Sequence, residues 1–216
     1  MSGPRRLLTC TTTALAHGGA GVARVDGRVV FVTGALPGET VLAEVTDDSR
    51  PAFWRARTVE VQSPSPDRVP VSCPAAAAGA GCCDLAYGTV PAIARAKAGI
   101  LADALERIGG LTPPPALSVD AVAGGESGHR WRIRARLGVD DRGAVGFRAA
   151  HSTAIVTEPC AAPTAEMTAA VAALDPRDLT PGAEIAVVHD DDGRVHVVES
   201  VTAAPRRGGG GGARAA

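Results

Sequence analysis

Four of the five cysteines in this chain, Cys73, Cys82, Cys83 and Cys160, constrain its fold more than any other feature. Three lie close together in a stretch rich in Pro, Ala and Gly, and the fourth comes after a strand-rich segment far down the sequence. Thiolate sulfur is a soft, strongly donating ligand, so a set drawn from two distant segments ties them together around one metal centre. Spacing leaves zinc and an iron–sulfur cluster both open. The rival reading is that Cys82 and Cys83 are buried as small apolar residues, but the loop offers few large apolar neighbours for a core. Cys10 stands apart, in an alternating segment where it either packs in a core or faces solvent.

The compartment matters to this reading. There is no run of about 18 apolar residues, and residues 1–6 lead straight into an alternating segment instead of a signal-peptide apolar stretch. The expectation is a cytoplasmic monomer with no membrane partner, where clustered thiols bind metal instead of forming disulfides.

Residues 7–62 read as five short strands separated by glycine turns: 7–14, 22–25, 28–32, 40–45 and 53–61. Asp26-Gly27, between two alternating runs, is a tight hairpin turn of the kind that requires positive φ. With 45% hydrophobic but only 3% aromatic residues, packing falls to Val, Ile, Leu and Ala. A small five-stranded barrel over residues 1–62 is the expected first domain.

Ser63-Pro64-Ser65-Pro66 marks the boundary, and a second domain, α+β in class, is expected over 63–204. Thr89 is placed to cap a helix with Pro91 in its first turn, with Ile93, Ile100, Leu101, Leu105 and Ile108 on one face before Gly109-Gly110 stops it. Strands are expected at 118–123, 129–139, 144–149 and 153–157, with a turn at Asp140–Gly143. A short helix at 165–174 precedes a hairpin formed by 184–189 and 194–201. Residues 205–216, with their run of glycines, read as a flexible tail or linker.

Positive charge is carried by arginine, with Lys97 the only lysine, although Arg, Ala, Gly and Pro are abundant together and the count alone decides nothing. Placement is more informative. Strict alternation from Arg130 to Leu137 puts Arg130, Arg132, Arg134 and Arg136 on one strand face and Trp131, Ile133, Ala135 and Leu137 on the core side. Four like charges in a row repel one another unless a nucleic-acid backbone or acidic neighbours supply countercharge. The loop from His17 to Arg24 brings backbone amides and one arginine beside the barrel, where glycines serve either close approach to phosphate or turn geometry.

Taken in order, these segments resemble the uracil-C5 RNA methyltransferases. Ala16–Arg24, Gly27–Val32 and Ala35–Glu39 are similar to that family's TRAM barrel, and Ser63–Arg68 with Cys73 to its crossing into a cluster-bearing domain. Cys83-Asp84-Leu85, Lys97, Arg107–Gly110, Arg132–Leu137, Gly146–Arg148 and Pro159-Cys160 fall where the family places similar residues. The resemblance implies an OB-like TRAM barrel followed by a small α+β domain holding a [4Fe-4S] cluster on Cys73, Cys82, Cys83 and Cys160, with zinc as the alternative metal. It implies RNA, rRNA or tRNA, as partner, held by His17, Arg24, Arg28, Arg130, Arg132, Arg134, Arg136 and Arg148.

Two departures stand out. Where the family has Cys-Gly-Gly-Cys, this chain reads Ala80-Gly81-Cys82-Cys83, so Cys82 shares the centre only if the loop is sharply bent. The family's C-terminal domain, which binds S-adenosylmethionine and supplies the nucleophilic cysteine and a carboxylate base, has no counterpart here. The chain is therefore expected to bind RNA without methylating it. A freestanding RNA-binding module with zinc or no metal, and an iron–sulfur redox protein, are the alternative functions.

Overall fold

The computed structural model describes residues 6–121, 128–150 and 152–201; the glycine tail and His151 lie outside them. Five strands, β1 (Leu7–Leu15), β2 (Gly21–Val25), β3 (Arg28–Thr33), β4 (Thr40–Asp47) and β5 (Phe53–Ser63), close into a mixed barrel in the order β1-β2-β3-β5-β4. All neighbours are antiparallel except β3 and β5. Period-two alternation explains the closure, since Cys10, Ala23, Val30, Val32, Val41, Ala43, Trp54 and Ala56 all point inward to one core. Cys10 is thus a packing residue, 6% exposed. At the expected hairpin Asp26 and Gly27 both take positive φ, 50° and 76°, and Val25 pairs with Arg28.

A buried ion pair fastens the barrel to the chain downstream of it. Glu39, fully buried, lies just before β4, and Arg68 lies just after the Ser-Pro-Ser-Pro segment. Arg68 donates to both carboxylate oxygens, from Nε at 2.6 Å and Nη2 at 2.7 Å, and Nη2 also donates to the Gly34 carbonyl at 2.8 Å. The amides of Leu36 and Ser65 complete the carboxylate's shell at 2.8 and 3.1 Å. The linker continues into the next element through Asp67, which accepts from Thr89 Oγ1 and Arg95 Nη2.

Beyond the linker come α1 (Pro74–Ala77), α2 (Val90–Arg107), β6 (Arg134–Val139), β7 (Val145–Arg148), β8 (Ile155–Val156), α3 (Ala165–Ala172), β9 (Glu184–His189) and β10 (Val195–Ser200). The strands form an antiparallel sheet in the order β10-β9-β6-β7-β8. Its core gathers Ala135, Leu137, Val139, Phe147, Met167, Ile185 and Val187. The Asp140–Gly143 turn forms as expected, with Asp140 Oδ1 accepting from the amides of Arg142 and Ala144.

Several expectations are corrected. Residues 118–121 are not a strand, and 122–123 lie outside the described residues. The arginine strand begins only at Arg134, and Trp131 and Ile133 are 42% and 48% exposed instead of buried. Helix α2 forms, yet no residue in it is fully buried and Leu101 and Ile108 face solvent; Thr89 makes no side-chain cap, because its hydroxyl is bonded to Asp67. The cysteine segment does enter a core: Cys73, Ala75 and Ala80 are all buried against the second sheet.

Burial raises the Glu39 pKa, but hydrogen bonds from Arg68 and the two amides outweigh it and hold the carboxyl below its ordinary value of 4.5. A depressed folded-state pKa gives stability that is complete above 4.5 and is lost as pH falls through the lowered value. Replacing Glu39 with Gln is expected to cost about 3 kcal/mol by leaving Arg68 without its countercharge. It should also flatten the acid limb of stability against pH, both read by urea denaturation from neutral pH downward.

Candidate metal centre and nucleic-acid interface

The cysteine loop is bent from both sides. Cys73 precedes the single turn of α1, whose Ala75 amide donates to the Pro159 carbonyl at 3.2 Å and so brings the Cys160 segment alongside. A turn at Gly81-Cys82 comes next, anchored by Gly81 N–H on the Arg148 carbonyl at 2.9 Å. Gly81 suits this close approach, because a Cβ would stand a tight 3.1 Å from the Ala150 Cα. Adjacent side chains oppose each other on an extended chain, whereas this turn lets Cys82 and Cys83 share a centre.

The sulfurs of Cys82, Cys83 and Cys160 all lie within 4.8 Å of one another. Cys82 Sγ is 3.7 Å from Cys160 Sγ, and Cys73 Sγ is 4.0 Å from Cys160 Sγ, although Cys73 stands outside the tight trio. Cys82, the member that the sequence made least secure, therefore lies within the trio, Cys160 touches both Cys73 and Cys82, and Cys73 is the most deeply buried of the four. The Ala161 amide donates to Cys73 Sγ at 3.3 Å. Hydrogen bonds from Cys160 and Cys82 hold the Cys83 thiol down, to about 3, while the Cys82 thiol, donating to its neighbours, is pushed up. Soft, converging donors of which one readily ionises are what a thiolate metal centre needs.

The predicted RNA-binding residues divide. Arg134, Arg136 and Arg148 are exposed and line one groove of about 600 Å³ with Arg132, which runs past Cys82 along the second sheet. Arg136 Nε is 3.7 Å from Glu184 Oε1, with 81% of its side chain still exposed. Arg132 is partly buried: Nη2 donates to the Cys82 carbonyl at 3.0 Å, and its guanidinium lies 5.1 Å from the Trp131 ring. Arg130 is exposed but departs from the row, with φ of 54°. Arg28 stacks over Trp54 at 4.2 Å and donates to the Pro51 carbonyl, so it serves the barrel. His17 and Arg24 are exposed on the barrel side.

A second cavity of about 850 Å³ joins the halves, lined by Gly19 of the barrel loop, Cys83 and Asp84 of the cysteine loop, Lys97 of α2, Trp131 and Arg132. Gly19 lies against Asp84 and Leu85, and its φ of 83° is the left-handed backbone that favours glycine at this point of the barrel loop. Sequence reasoning gave neither this cavity nor the exposed Trp131, because Trp in an alternating run reads as core.

Residues 5–59 match the TRAM domain. The chain is 43% identical over 186 residues to a protein of Corynebacterium glutamicum named as an uncharacterized RNA methyltransferase, covering 86% of this chain and 44% of that protein. It is 41% identical over 200 residues to one of the same description from Corynebacterium efficiens, covering 92% and 46%. Against the 23S rRNA (uracil(1939)-C(5))-methyltransferase RlmD of Xanthomonas campestris, identity is 44% over 142 residues, 63% of this chain and 31% of that protein. The chain thus spans less than half the length of the curated relatives it matches.

Gly81→Val is expected to lower stability by about 2 kcal/mol through overpacking against Ala150 and to displace Cys82 from the trio. Urea denaturation and a thiol-competition titration with cadmium check the two effects separately.

Proposed function

We propose that this chain, which carries a TRAM domain and is similar to the front portion of RNA methyltransferases, is the RNA-recognition part of an S-adenosylmethionine-dependent uracil-C5 RNA methyltransferase. The carrying observation is the groove in which Arg132, Arg134, Arg136 and Arg148 succeed one another beside the thiol centre. Planar guanidiniums match phosphate bidentately, and a row of them on a sheet face tracks a nucleic-acid backbone. The exposed Trp131 ring at the edge of the neighbouring cavity offers a stacking surface for an unpaired base. The partner is rRNA or tRNA, with rRNA favoured because relatives are named for it.

The thiol centre acts as a joint between the 73–83 loop and the segment at Cys160, held by a metal or by the [4Fe-4S] cluster that the family resemblance implies. Methyl transfer belongs to a further domain that binds S-adenosylmethionine. Attack on C6 of uracil needs an accessible thiolate before C5 becomes nucleophilic. Here four thiols are gathered into one centre and Cys10 is buried in the barrel.

Filter binding of a single-stranded RNA across a salt series tests the groove. Replacing Arg134, Arg136 and Arg148 together with Glu is expected to reduce the slope of log K against log salt by about 2, at roughly 0.7 per lost phosphate contact. An unchanged slope would overturn the surface assignment. Incubation with RNA and methyl-labelled S-adenosylmethionine is expected to leave the RNA unlabelled; labelling above background would place the chemistry in this chain.

A further inference from the structure

The cavity between the halves and the arginine groove meet at Arg132, which lines both, yet their chemistry differs. In the groove four arginines face a single carboxylate, that of Glu184, a balance that suits a phosphate backbone. In the cavity Lys97 and Arg132 are offset by Asp84 and Asp120. Leu85, Val90, Ile93 and Val119 give that cavity apolar walls beside the Trp131 ring. Balanced charge and apolar walls suit a nucleobase and not its phosphate. At about 850 Å³ the space is of the size that encloses a small ligand.

We infer that this cavity receives one unpaired base of a bound RNA strand and selects an amino-bearing base (adenine, cytosine or guanine) over uracil. Trp131 is set for stacking: its Nε1 donates to the Gly128 carbonyl at 3.2 Å, and 42% of the residue is exposed. With the indole N–H already used, hydrogen bonding to the edge of a stacked base falls to Asp84, Asp120 and Lys97. All three are exposed and have no ion-pair partner among the described residues. Two of the three are carboxylates, which only accept. A carboxylate accepts from an exocyclic amino group, as it does from cytosine N4. Uracil offers one ring N–H flanked by two carbonyls, whose lone pairs a carboxylate repels. The base held here is a recognition base and not the uracil to be methylated. Arg132 marks where the strand leaves the groove to turn that base into the cavity.

This inference rests on the proposed RNA-recognition role, and the test separates the two. The full chain is titrated with an oligouridylate of about twelve nucleotides and with the same strand carrying one central A, C or G, by filter binding and by tryptophan fluorescence. The substituted strands are expected to bind about tenfold tighter than oligouridylate and to quench Trp131. In Trp131→Phe the remaining emission, from Trp54, should not respond to RNA. Trp131→Ala is expected to weaken the substituted strands about tenfold at an unchanged salt slope. Asp84→Ala with Asp120→Ala should abolish the preference without weakening oligouridylate binding. Equal affinity for all the strands, a preference for uracil, Trp131 emission unmoved at saturation, or a preference that survives the double alanine variant would each overturn the cavity assignment alone, provided that RNA binding still depends on salt through the groove arginines. Failure to bind every strand would overturn both readings.

Discussion

The buried pair of Glu39 and Arg68 is the contact on which the arrangement of this chain depends. A carboxylate with no solvent exposure is tolerable only when its lone pairs are filled, and here two guanidinium nitrogens and two amides fill them. Arginine is needed because its fork reaches both oxygens and still spares a hydrogen for the Gly34 carbonyl. The same guanidinium lies 4.6 Å from the Tyr87 ring, at the entry to α2. One side chain thereby fixes the barrel's 34–39 loop, the exit of the linker and the segment leading from the cysteines to the helix. Gly19's approach to Leu85, and with it the cavity between the halves, depends on that placement.

Much of the fold was legible because strand alternation reports burial directly. All five barrel strands lie within two residues of their expected ends, and the Asp26-Gly27 turn pairs Val25 with Arg28. The ion pair was not legible: a Glu and an Arg in Pro- and Gly-rich loops read as ordinary surface charges, and nothing in either segment announces the other. The break in the arginine strand has a similar cause. Upstream of Arg134 the backbone leaves β9 and pairs with the segment at Cys160, with Arg130 and Arg132 amides donating to the Ala161 and Ala162 carbonyls at 2.9 Å. Local alternation continues, but the partner strand has changed, so Trp131 and Ile133 lose their core.

The same diversion explains why the thiol centre and the groove are neighbours. Bringing 159–162 against 130–132 carries Cys160 to Cys73 and Cys82 and turns Arg132 toward the Cys82 carbonyl. The loop that supplies three of the thiols packs through Ala75 and Ala80, residues that bury little apolar area each. Such a loop gains little from hydrophobic contact alone. The thiol–thiol contacts and the Ala75 amide's bond to the Pro159 carbonyl supply closure beyond what its small side chains give.

Clustered thiols that ionise gather negative charge, which would repel any polyanion approaching the adjacent groove. Arg132 occupies the place where this conflict is resolved. Its guanidinium is hydrogen-bonded on the centre's side, flanked by Trp131 and Phe147 at 5.1 and 5.7 Å, and it contributes to the groove wall with Arg134, Arg136 and Arg148. Partial burial lowers the local dielectric and strengthens its interaction with the thiolates. The exposed arginines face solvent along the groove, where screening weakens each single charge and only a row of them adds up to a strong field. The alternating sequence from Arg130 to Arg136 thus sets the partly buried Arg132 beside the thiols and the exposed Arg134 and Arg136 in the groove wall.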